Sequence, residues 1–165
     1  MSRIYAGQLL VPSILDRLLD DEPDKVKEIA ASRTQRLREL KQSVRRDLEH
    51  LLNTRVCLHV IPSDCEELLT SVLNYGIPDF GGLATASGDQ QELLRSKVED
   101  VICRFETRFK FVRVELVQDA TQALQRTIRL KIDGVLHAEP APEPVSFDSH
   151  IMPTIGTFQV KEEGT

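Results

Sequence analysis

The spacing of apolar residues changes once along this chain, and the change divides it. From Thr34 to Phe105 they recur every three or four positions, the repeat of helices with one buried face. From Lys110 onward they alternate with polar residues, the repeat of strands buried on one side only. "RTIRLKIDG" (Arg126 to Gly134) shows it best, with Ile128, Leu130 and Ile132 on one face and Thr127, Arg129, Lys131 and Asp133 on the other. Helices followed by strands give an α+β fold, in which N-terminal helices pack on one face of a small, mostly antiparallel C-terminal sheet. A chain of 165 residues can bury a core of this kind in one domain.

The clearest helix runs from Thr34 to Leu52, with Leu37, Leu40, Val44, Leu48 and Leu51 in one stripe. Ser32 and Gln35 have capping-box spacing at its start. Its other face carries Arg36, Arg38, Lys41, Arg45 and Arg46, either solvated or a docking face for an acidic partner. "VCLHVIP" (Val56 to Pro62) reads as extended. Ser63 and Glu66 form a second capping box, predicting a helix to Tyr75, which Gly76 and Pro78 stop. Ser87 and Gln90 open a third helix to Phe105, with Leu94, Val98, Val101, Ile102 and Phe105 inward. "KFVRVELVQ" (Lys110 to Gln118) is a strand, "AEPAPEP" (Ala138 to Pro144) a stiff connection, and "VSF" and Ile155 to Val160 two short strands. Residues 1–31 read as an arm with one short amphipathic helix, Ile14 to Leu19, between Pro12 and Pro23. Alone that helix is too short to hold in water, so it must dock on its own domain or on a partner. Residues 32–165 form the single α+β domain.

Little of the chemistry of an enzyme is present. The formal net charge of −5 disfavours nucleic acid as a partner. No stretch approaches the apolar length of a membrane span, and no signal-peptide pattern opens the chain, so a soluble, cytoplasmic protein without direct membrane insertion is expected. The odd cysteine count (Cys57, Cys65, Cys103) argues for reduced thiols. His50, His59, His137 and His150 lack metal-ligand spacing, and no phosphate loop or nucleophile motif occurs, so neither metal nor cofactor is expected. Glu106 is the one candidate acid. Arg104 and Arg108 flank it and favour its charged form, the wrong state for a general acid. The chain also lacks Trp, the usual platform for a sugar. An ion pair is the simpler role for Glu106.

Four stretches in order, "PSILDRLLDD" (Pro12 to Asp21), "LEHLLNTR" (Leu48 to Arg55), "SVLNYGIPDF" (Ser71 to Phe80) and "RFETRF" (Arg104 to Phe109), resemble the TssE family. These are the E subunits of bacterial type VI secretion baseplates, within the phage baseplate-wedge group often labelled lysozyme-like. The resemblance spans Pro12 to Val160. It implies a non-enzymatic part of a cytoplasmic baseplate at the inner membrane. Its partners would be other wedge subunits, contractile sheath subunits that polymerise from it, and spike or hub proteins. The label alone suggests the alternative, a peptidoglycan-cleaving muramidase. The family's Glu-Pro-Arg signature falls on Glu106, Thr107 and Arg108, with Thr in place of the helix-ending Pro. Glu106 and Arg108 are then expected to meet partners. Tyr75 and Phe80 either fold back on the helix end or stand out as anchors. Leu15 and Leu18 either pack at home or enter a partner's groove. The strand of Ile155, Phe158 and Val160, if it lies at a sheet edge, would offer backbone groups to a sheath strand.

Overall fold

The computed structural model describes residues 14–18, 32–56, 65–79, 88–117, 128–138, 141–152 and 156–162. Among these residues three α-helices, α1 (Ile14–Leu18), α2 (Arg33–Asn53) and α3 (Gly88–Phe105), precede four strands, β1 (Phe109–Val117), β2 (Ile128–Leu136), β3 (Glu143–Met152) and β4 (Thr157–Glu162). The strands form one antiparallel meander in the order β1-β2-β3-β4. The α+β arrangement is the one that the change of period predicts.

Ser32 caps α2 in extended conformation, its hydroxyl accepting the Gln35 N–H at 3.2 Å. The Gln35 side chain turns forward to Glu39 instead of back, so the box is half made. Leu40, Val44, Leu48, Leu51 and Leu52 are buried along α2, and Leu94, Val98, Val101 and Ile102 along α3. α2 lies against β4 and α3 against β1, so both cover the same face of the sheet. Leu130, Ile132, Phe147, Ile151, Phe158 and Val160 rise from the strands to meet them.

The helix predicted from Ser63 to Tyr75 is not there. Ser63 lies outside the described residues, and from Glu66 the chain makes two short 3-10 turns, Glu66–Thr70 and Val72–Asn74, parted by an extended Ser71. Side chains have taken the carbonyls a helix would use: Ser71 Oγ donates to Leu68 O at 2.8 Å, and Asn74 Nδ2 to Leu69 O at 2.9 Å. Gly76 then turns at φ +110°, and a Cβ there would sit 2.3 Å from Thr54 O. That approach lets the Ile77 N–H donate to Thr54 O (2.9 Å) and the Val56 N–H to Ile77 O (3.0 Å), so the corner is tied to the end of α2.

The predicted Pro-rich connection ends earlier than expected. Glu143 and Pro144 belong to β3, which is longer than "VSF". Pro144 is opposite Val135, and its missing N–H falls on the outer side of β3, beyond Phe147 where pairing with β4 stops. β4 begins at Thr157. Ile155, Phe80 and the extended segment expected from Cys57 to Pro62 lie outside the described residues.

Candidate functional site

Two constructions hold the helices to the sheet. The first sits where α3 passes into β1. The Glu106 N–H still donates to Ile102 O (2.9 Å), and the Phe109 N–H returns to Glu106 O (3.3 Å), closing the turn with Thr107 at its exposed tip. Threonine thus allows the turn without a proline to impose it. Glu106 is 8% exposed. Its Oε1 accepts the backbone N–H of Arg108 (3.1 Å) and Arg108 Nε (2.7 Å), while Arg108 Nη2 bonds Oε2. The same guanidinium reaches α2, with Nη1 donating to Ser43 Oγ (2.9 Å) and Nη2 to Asp47 Oδ2 (2.7 Å). Burial works against the Arg108 cation, but the hydrogen bonds and charges of Glu106 and Asp47 outweigh it and raise its pKa above the usual arginine range. Ser43 Oγ in turn donates to Asp16 Oδ2 of α1 (2.6 Å), and Arg46 Nη2 donates to Asp16 Oδ1 (2.5 Å). One network thus joins the arm, α2 and the α3-to-β1 turn.

Glu106 is therefore an internal ligand of Arg108, as an ion-pair role requires. It is not an open contact for a partner. Arg104 plays no part: it pairs with Asp100 on its own helix at 2.8 Å. Glu106 and Asp47 share one cation instead of facing each other across a cleft, the arrangement a glycosidase would need. Among the described residues no group of three or more His, Cys, Asp or Glu side chains is placed to hold a metal.

The second construction covers the sheet's edges. β4 lies at one end of the strand order, but the outward N–H and C=O of Phe158 and the C=O of Val160 are occupied. The Phe158 N–H donates to Asn53 Oδ1 (2.8 Å), and Asn53 Nδ2 donates to Phe158 O (3.0 Å) and to Glu49 O (2.8 Å). Arg45 Nη1 donates to Val160 O (3.3 Å) and Arg55 Nη2 to Gly156 O (2.5 Å). At the other edge the Val114 N–H donates to Glu99 Oε2 (2.9 Å), and Arg95 Nη1 donates to Val114 O (3.0 Å).

The remaining predicted residues divide. The side chains of Phe158 and Val160 are in the core. Tyr75 folds back: its ring meets Phe105 edge-on at 5.3 Å, and burial raises its hydroxyl pKa. Ile14, Leu15 and Leu18 all face solvent, so α1 is attached by Asp16 and presents its apolar side outward. The basic side of α2 is neither wholly solvated nor free for a partner. Arg36 and Arg38 are exposed, whereas Lys41 pairs with Glu143 (3.4 Å), Arg45 with Glu49 and Arg46 with Asp16. Sequence reasoning missed Asn53, Asp47, Ser43 and the exposed Val72 and Leu73. Asn53 had one signal, a polar residue closing an apolar helix, which reads simply as a stop.

The family model described as baseplate wedge protein gp25 matches residues 38–141. The chain belongs to the baseplate wedge protein gp25 family. That family is one of structural parts of phage-tail-like baseplates. The matched span holds Asn53, Glu106, Arg108 and both strands β1 and β2, and it ends before β3 and β4. Among curated proteins none matches the chain closely enough to count as a relative. Among the described residues no helix is long and apolar enough to cross a membrane.

Proposed function

We propose that this baseplate wedge gp25-family protein is a non-enzymatic subunit of a type VI secretion baseplate, working in the cytoplasm at the inner membrane. It binds other wedge subunits and provides the platform from which contractile sheath polymerises. The family match carries the reading. The Glu106 carboxylate is in keeping with it, being held by Arg108, which also binds Asp47.

Two surfaces suit partners. The outward row of Ile14, Leu15 and Leu18 on α1 is the kind of short apolar anchor a partner's groove accepts. At β1 the backbone groups of Val112 and Leu116 point outward by alternation from Val114 and have no described partner, which suits an added sheath strand better than β4 does. Removing residues Ile155 to Thr165 would take Phe158 and Val160 from the core, so it tests folding more than sheath binding.

The cleaner test is a double variant, Leu15→Asp with Leu18→Asp, co-expressed with the wedge and sheath proteins of its own system. We expect a folded chain that no longer co-purifies with wedge proteins. Undiminished co-purification would remove the arm from the interface, and no wedge or sheath binding by the wild type would remove the function. Release of peptidoglycan fragments that stops on Glu106→Gln would favour a muramidase instead.

A further inference from the structure

We propose that Asn53 is a stand-in for a neighbouring strand, and that it keeps the β4 edge closed to a second copy of this chain. A strand added beside β4 would bond the outward N–H and C=O of Phe158 together, as one residue of an antiparallel pair does. The Asn53 amide supplies that same acceptor and donor from the last residue of α2. Its Nδ2 also donates to Glu49 O, which fixes its orientation, and buried Leu51 and Leu52 fix the helix end behind it. The chemistry selects the residue. Arginine, as at positions 45 and 55, only donates and so covers carbonyls alone. Aspartate only accepts and would face Phe158 O with a lone pair. An amide serves both groups.

Beside Asn53, only Arg45 on Val160 O and Arg55 on Gly156 O cover this edge among the described residues, and each leaves the N–H groups alone. Between Thr157 and Glu162 the strand, "TFQVKE", has no proline. In an antiparallel pair with its two-fold axis at Gln159, Phe158 lies opposite Val160 of the second copy, and Lys161 lies opposite Thr157. No like charges meet. Such a pair needs the outward groups of Phe158 and Val160, and side chains of α2 hold both groups of Phe158 and the C=O of Val160.

The test compares the full-length wild type with Asn53→Ala by sedimentation and by amide exchange over a wide range of concentration. The wild type is expected to stay monomeric, with Phe158 protected at every concentration. Dilute Asn53→Ala is expected to exchange the Phe158 amide about tenfold faster. Protection should return as the concentration rises and dimers form. Adding Gln159→Lys, which sets two lysines face to face on the axis, should restore the monomer. If Asn53→Ala is unfolded by circular dichroism, Asn53→Asp, with the same shape, carries the comparison. A folded Asn53 variant that stays monomeric throughout overturns the proposal. So does association that Gln159→Lys leaves untouched, or an unprotected Phe158 amide in the wild type.

Discussion

At β4 the side chain covering the edge is an uncharged amide at the end of α2. At β1 it is a carboxylate and a guanidinium one turn apart on α3, bonded to each other at 2.8 Å as well as to Val114. Both serve one outward residue, and both leave the helix in place over the core. They differ in what loosens them. A neutral bond responds weakly to salt, whereas a part-buried ion pair is screened to some extent as the screening length shrinks to about 3 Å at 1 M. The β4 cover also has two arginines beside it, while Val112 and Leu116, which flank the β1 cover, have no such side-chain partner among the described residues. The sheet thus has one edge closed by shape and one closed by charge.

The largest effect should come from the link between the two sides. Arg108 anchors the entry to β1 on α2, the helix that closes β4. Arg108→Ala leaves Glu106 buried without its cation and should cost about 3–5 kcal/mol in urea unfolding. A loss under about 1 kcal/mol would mean the two edges are held independently. Asn53→Ala should cost about 2 kcal/mol through its bonds to Phe158 and Glu49. Glu99→Gln should cost about 1 kcal/mol in dilute buffer, and that difference should shrink in 1 M salt. The reverse ranking, or a salt-sensitive Asn53 effect, would break the distinction.

The smallest effect concerns pH. His150 stands opposite Gln159 of β4, among Arg129, Asp148 and Lys161. Burial lowers its pKa, Arg129 and Lys161 lower it further, and Asp148 opposes them. The unfolded chain then takes up the proton first as pH falls. Stability from neutral His150 is complete above the ordinary value of about 6.5 and is lost below it, as pH drops through the depressed folded value. His150→Gln should flatten the dependence of stability on pH between neutral and mildly acidic pH. Urea midpoints of the two proteins at pH 7.5 and at about pH 5.5 check it.

How far the sequence carried the reading depends on how locally each feature is determined. The stripe of α2 and the alternation of β2 are set by neighbours a turn or two residues away, and both are as expected. The Glu106–Arg108 pair, two residues apart, was legible too. The 3-10 corner was misread because Ser71 and Asn74 bond backward to Leu68 and Leu69, which a hydrophobic stripe does not record. Asn53 was unreadable for a stronger reason: its partner is 105 positions distant and exists only once β4 has found its register on β3. Asp47 and Ser43 likewise become ligands only when α2 lies beside the turn after α3.

The way Asp16 fastens α1 has a consequence for the order of assembly. A few polar bonds make a light fastening, and little further apolar surface of α1 would pass into water when the short helix lets go, since Ile14, Leu15 and Leu18 already face it. Exchange of the Asp16 bonds for those of another surface would therefore leave the long helices and the sheet behind them folded.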